Sequence, residues 1–143
     1  MSEHAFVFEV KPQTQVIFAP AGDGVSAGMK TVTSSGEYGY ARVEPVTPED
    51  IDLAAYAGRY TSPELDITWT IVPGDDCLTV RRRKYVDSHP TPLFNDAFRD
   101  DWAPLLGYPR TYLIRFTRDA HGAIEGLTVS GDGVRNLRFE RTR

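Results

Sequence analysis

The chain has 143 residues, 41% of them hydrophobic and 25% charged, with a formal net charge of −4. This is the make-up of one ordinary globular domain, and the acidic balance argues against a nucleic-acid backbone or an anionic membrane surface as its partner. No run approaches the ~20 apolar residues of a membrane-spanning helix. The N-terminal MSEHAFVFEV lacks the basic and apolar regions of a secretory signal, which points to a cytoplasmic location.

In chain order, most segments alternate apolar and polar residues and end on turn formers, the behaviour of half-buried strands. The pattern predicts strands over residues 6–10, 15–19, 27–33 and 38–44, then 59–61, 66–72 and 78–85. A short strand over 91–94 leads into a loop over 95–110, and strands over 111–118, 124–130 and 134–141 close the chain. Pro73-Gly74-Asp75-Asp76, Asp119-Ala120-His121-Gly122 and Gly131-Asp132-Gly133 predict hairpin turns, because Gly and Asp tolerate positive φ. One segment departs from the strand pattern. Thr47 offers a capping hydroxyl, Pro48 suits a first helical position, Glu49 and Asp50 fill the first turn, and Gly58 follows as a stop. This predicts one short helix, about 48–56, which links two groups of strands or plugs one end of a barrel.

The first third of the chain partly repeats the last quarter. Phe18, Gly24 and Gly28 correspond to Phe116, Gly122 and Gly126 at a constant offset of 98. Ala41-Arg42-Val43-Glu44 then answers Leu137-Arg138-Phe139-Glu140 at an offset of 96, which makes the first copy two residues longer in its last turn. The expected fold is therefore all-β: an antiparallel barrel of about eight strands over 46–143 with one short helix, preceded by a half-repeat of strands over 1–45. A barrel is favoured over a sandwich because a meander of hairpins closes simply and closure removes exposed edges.

The second group of strands carries an ordered series of motifs: Tyr56-Ala57-Gly58-Arg59-Tyr60, Ser62-Pro63-Glu64-Leu65, Thr68-Trp69-Thr70-Ile71, Leu78-Thr79-Val80, Ile114-Arg115-Phe116-Thr117-Arg118-Asp119, Gly126-Leu127-Thr128-Val129 and Val134-Arg135-Asn136-Leu137-Arg138-Phe139-Glu140. Over 47–143 this series resembles the C-terminal lipocalin-like β-barrel domain of serine β-lactamase-related hydrolases and peptidases. The resemblance implies an accessory barrel packed beside a separate catalytic domain that carries the chemistry. The chain itself contains no Ser-x-x-Lys, Tyr-x-Asn or Lys-Thr-Gly, so the nucleophile and base of those enzymes have no counterpart here. The expectation is a non-catalytic accessory or interaction protein whose partner is a serine hydrolase domain or another copy of the chain. The alternative is a small-molecule carrier that uses the barrel interior for a small apolar or anionic ligand.

Candidate site residues follow from chemistry along the strands. Gly24-Val25-Ser26-Ala27-Gly28 is a literal G-x-S-x-G, but that motif needs a strand-to-helix turn. Strand-like residues follow Ser26, and the repeat matches it to Ile124, so no catalytic role is assigned. His4, His89 and His121 are scattered, and Cys77 is the single cysteine, so neither a disulfide nor a metal site is expected. Asp75-Asp76 lacks the further ligands of a calcium loop. Arg81-Arg82-Arg83-Lys84 is a basic run within a strand. It reads either as a solvated strand end or as an anion-binding rim for carboxylate or phosphate. Tyr60, Trp69, Tyr85, Trp102, Tyr108 and Tyr112 read as core filling or as the lining of an interior cavity. Tyr60, Trp69, Arg81, Arg83 and Tyr112 are accordingly the ligand-binding candidates. Asp100-Asp101 sits in the expected loop and reads as part of a lid, a partner contact or a solvated turn. No cofactor is implied.

Overall fold

The computed structural model describes residues 5–8, 11–19, 26–102 and 110–142. The chain is all-β and antiparallel, and it divides into two compact units, Met1–Val43 and Glu44–Arg143. The boundary falls two residues before the expected one. Pro45 forms a bridge with Phe94, and the Val46 amide donates to the Leu93 carbonyl, so both already belong to the second unit.

The first unit is a four-stranded meander: β1 (Ala5–Phe8), β2 (Lys11–Phe18), β3 (Gly28–Thr33) and β4 (Gly36–Ala41), in that spatial order. The β2–β3 register pairs Gln15 with Val32 and Phe18 with Met29. In the second unit, Leu113 pairs with Ser130 and Phe116 with Leu127, the same register displaced by 98. Gly28 and Gly126 also share a task. A Cβ at Gly28 would run into the Tyr40 carbonyl oxygen, and one at Gly126 into that of Phe139, so both stand where a neighbouring backbone comes too close for a side chain. The closing strands align differently from the offset of 96. Met29 pairs with Tyr40 and Leu127 with Phe139, an offset of 99 for the closing strand. The second hairpin carries one extra residue at a bulge between Val129 and Gly131, and Arg42 onward lies beyond β4. Gly24 lies outside the described residues.

The second unit is one curled, barrel-like sheet of nine strands. These are β5 (Gly58–Ser62), β6 (Ile67–Pro73), β7 (Leu78–Arg82), β8 (Tyr85–Ser88), β9 (Thr91–Phe94), β10 (Ala97–Trp102), β11 (Arg110–Arg118), β12 (Ile124–Gly131) and β13 (Val134–Thr142). Their spatial order is β8-β7-β6-β5-β13-β12-β11-β10-β9. Two strands lie where none was expected. The predicted strand over 78–85 turns back at Arg83-Lys84, with Arg82 paired to Tyr85, and so becomes the β7–β8 hairpin. The predicted loop over 95–110 contains β10, in which Asp100 pairs with Tyr112 in the ladder. The expected hairpins form. Asp132 and Gly133 both take positive φ between the paired Gly131 and Val134, as a tight primed turn requires. Asp119 accepts from the amides of His121 and Ala123.

The expected helix is two short 3-10 turns, Pro48–Asp50 and Leu53–Tyr56. The Asp50 carboxylate accepts from the Thr47 amide and hydroxyl. Ile51 is extended, and Asp52 caps a new turn by accepting from the Ala54 amide. Two caps five positions apart, Thr47 and Asp52, start two turns instead of one helix. The second turn buries Leu53 and Tyr56 in the core, where the Tyr56 ring meets Phe98 and Phe116 edge-on at 5.0 and 4.7 Å. Tyr60, Ile71, Val80, Ile114, Leu127 and Phe139 fill the space between. Among the described residues, no helix is long and apolar enough to cross a membrane.

Tyr60 is fully buried, donates its hydroxyl to the Tyr56 carbonyl at 2.8 Å, and has its phenol pushed up to about 12 by burial. The raised value means the folded state favours the neutral phenol. This contribution to stability is complete below pH ~10 and disappears as pH rises from there to about 12. Thermal unfolding followed between pH 9 and 12 will show a steep loss over that window, and Tyr60→Phe will flatten it. An unchanged slope in the variant contradicts this assignment.

Candidate functional site

The nine-stranded ladder is open between its edge strands, yet β8 and β10 approach one another across the gap. Side chains join them. Arg82 from β7 donates through Nη2 to Asp100 Oδ2 at 2.8 Å and through Nη1 to Ser88 Oγ at 2.7 Å, and Ser88 donates to the same Asp100 oxygen at 2.9 Å. The side chains of Arg82 and Asp100 are only 6% and 1% exposed. The guanidinium carbon also lies 4.4 Å from the Trp69 ring centroid, a cation–π contact from the paired position on β6. Of the basic run, Arg82 alone turns inward, whereas Arg81, Arg83 and Lys84 are exposed at the strand end. Strict alternation sends Val80 and Arg82 inward and Arg81 outward. Asp100 is no part of a solvated turn, because β10 turns it inward beside Phe98.

Two concave regions flank this bridge. On one side is an open groove of about 840 Å³ lined by Arg59, Asp66, Trp69, Arg81, Arg83, Lys84 and Tyr85, among others. Its excess of cations suits a carboxylate or phosphate group. Within it, Arg81 approaches Asp87 at 3.7 Å with both side chains exposed, a pair of little energetic weight. On the other side is a smaller cavity of about 110 Å³, lined by Trp69, Arg82, Asp100, Tyr112, Val129, Val134 and Leu137. Asp100 Oδ1 is buried and has no hydrogen-bond partner among the described residues.

The five ligand-binding candidates therefore separate. Arg81 and Arg83 line the groove, Tyr112 lines the small cavity, and Trp69 borders both. Tyr60 lines neither, since its ring is in the core. Arg82 and Asp100 are the residues that sequence reasoning missed. The signal available was the period of two in LTVRR, which places Arg82 on the face of Val80. Tyr85 lies on the groove, Tyr108 lies outside the described residues, and so does the side chain of Trp102. His4 also lies outside them. Thr79 Oγ1 and His89 Nδ1 are 3.2 Å apart, His121 is exposed, and no cluster able to hold a metal ion occurs among the described residues. The Ser26 hydroxyl lies 2.6 Å from both the Ala19 and Gly28 carbonyl oxygens and is tied to its own turn.

A second polar cluster centres on Asp96, four residues before Asp100 and in the turn that leads into β10. Arg118 grips both oxygens of Asp96 at 2.7 to 3.1 Å, and Tyr56 donates to Asp96 Oδ1 at 2.9 Å. The guanidinium holds the Asp96 carboxyl below its ordinary value, while burial, then the hydrogen bond to Asp96, raises the Tyr56 phenol. Asp96 takes positive φ, so this pair anchors the turn between β9 and β10.

Comparison with protein-family models finds no match, and comparison with curated proteins finds none either. Among solved structures, the crystal structure of SurE is similar over 89% of this chain and 36% of that one, with a TM-score of 0.49 and 16% identity. The chain thus spans about a third of the length of that structure, and a likeness of this degree transfers neither fold nor chemistry.

Removing one member of the bridge is expected to cost far more than removing both. Asp100→Ala will lower stability by ~3–5 kcal/mol, because Arg82 keeps a buried charge without its carboxylate. Arg82→Met combined with Asp100→Leu will fall within ~1–2 kcal/mol of the parent. Urea unfolding of the single and double variants checks this, and equal losses in the two would contradict a buried bridge.

Proposed function

We propose that this is a non-catalytic interaction protein that works by self-association, with its second unit related to the lipocalin-like accessory barrels of β-lactamase-related hydrolases. The relationship rests on the ordered motif series over 47–143, and the first unit reads as an incomplete earlier copy of the same hairpins. A serine hydrolase domain remains the partner class that this kinship suggests beyond the chain itself.

The observation that carries the proposal is the outer strand of the first unit. β4 is the edge of its sheet and is exposed along its whole length. Tyr38 and Tyr40, each 48% exposed, share a face with Met29 and Phe18 through the ladder. An exposed sheet face is normally polar, and an open edge is normally blunted by charge, proline or a bulge. Here the edge carries two aromatic residues, the type enriched where proteins meet. Its backbone donors and acceptors can continue the ladder into the same strand of a second copy across a two-fold axis.

Sedimentation equilibrium of the full chain at micromolar concentration tests the proposal. A dimer is expected, and Tyr40→Lys will weaken it by about tenfold or more while leaving the circular dichroism spectrum unchanged. A clean monomer of the parent protein would sink the proposal.

A further inference from the structure

We propose that the small cavity beside the Arg82–Asp100 bridge is a binding site for a neutral molecule with an apolar body and one hydrogen-bond donor, of the size of a short-chain alcohol. Six strands build its wall: Arg82, Trp69, Val129, Tyr112 and Asp100 come from one strand each, and β13 supplies Val134 and Leu137. The core fills the rest of the interior, so the space is confined to this end of the unit.

Two features select the ligand. The first is size. The volume of about 110 Å³ lies below the ~150 Å³ cavity that accepts benzene and well above the ~30 Å³ share of one water molecule. The second is the distribution of polar groups. Asp100 Oδ2 already accepts from Arg82 and Ser88, whereas Oδ1 is buried without a partner among the described residues. A buried carboxylate oxygen left without a donor is costly, and an O–H donor relieves that cost with a charge-assisted bond. Arg82 already balances the charge of Asp100, so a neutral donor suffices, and an anion would meet the carboxylate. Val129, Val134, Leu137 and the Trp69 ring make most of the wall apolar, and a water molecule would leave that surface without contact. An amphiphilic molecule satisfies both the oxygen and the apolar wall.

This site lies in the second unit and does not depend on the aromatic edge of the first. The test is a titration of the full-length, 15N-labelled protein with 1-butanol, with its isomer diethyl ether, which lacks a donor, and with butyrate. Saturable shifts are expected with 1-butanol at the amides of Val129 and Leu137 and at the Trp69 indole. Ether will bind about tenfold more weakly or worse, and butyrate will give no saturable shift at Val129 or Leu137. The same butanol response in Tyr40→Lys will separate this site from self-association. Equal binding of the alcohol and the ether, saturable butyrate shifts at the amides of Val129 and Leu137, which line the cavity and not the cationic groove, or butanol shifts that never saturate would each overturn the proposal.

Discussion

The second unit depends on one buried contact, the ion pair of Arg82 with Asp100, held in place by Ser88. A nine-stranded sheet that curls without a continuous ladder leaves two edge strands apart, here β8 and β9, of which β9 is covered in part by Pro45 and Val46. β8 and β9 follow one another in sequence but stand at opposite ends of the strand order. The side chains of β7, β8 and β10 therefore bridge where backbone pairing does not. A buried ion pair adds little net stability against an apolar replacement. Its directionality is what matters here, because Arg82 reaches Asp100 only when the sheet has curled into the native register.

The two ends of the unit use opposite solutions to the same problem. At one end the 3-10 turn over Leu53–Tyr56 inserts an aromatic plug, and the Asp96–Arg118 pair ties the next hairpin to it. Tyr56, Phe98 and Phe116 pack edge-on against one another there. At the other end the closing residues are polar, and Trp69 is shared between Arg82 and Phe139, with ring centroids 4.3 Å apart in the latter case. A charged pair cannot fill space as an aromatic ring does, so this end keeps the cavity and the orphaned carboxylate oxygen.

Much of the fold is legible in the sequence because period-two alternation and Gly/Asp turns report directly on backbone geometry. The strands at 59–61, 111–118, 124–130 and 134–141 lie within observed ones for this reason, and the one at 66–72 differs from β6 only by starting at the turn residue Asp66. The misses share a cause. β10 reads AFRDDW, and its inward Asp100 interrupts the apolar pattern; only a distant Arg makes a buried Asp tolerable, and that partner lies 18 residues away. The Arg83-Lys84 turn carries none of the usual turn residues, so the hairpin it makes was hidden inside a basic run. The same blindness affected the site. Tyr60 looked like a lining residue because aromatic type alone does not separate core from cavity, whereas Trp69 and Tyr112 do border open space.

The central claim is that side chains, not a backbone ladder, close the sheet between β8 and β10. Residue-resolved amide hydrogen exchange in Asp100→Asn, compared with the parent protein, addresses it most directly. The account predicts a selective loss of protection in β8, β9 and β10, with the amides of β12 and β13 still slow to exchange. Protection that falls evenly over all nine strands, or that does not change in β8 to β10, would contradict it.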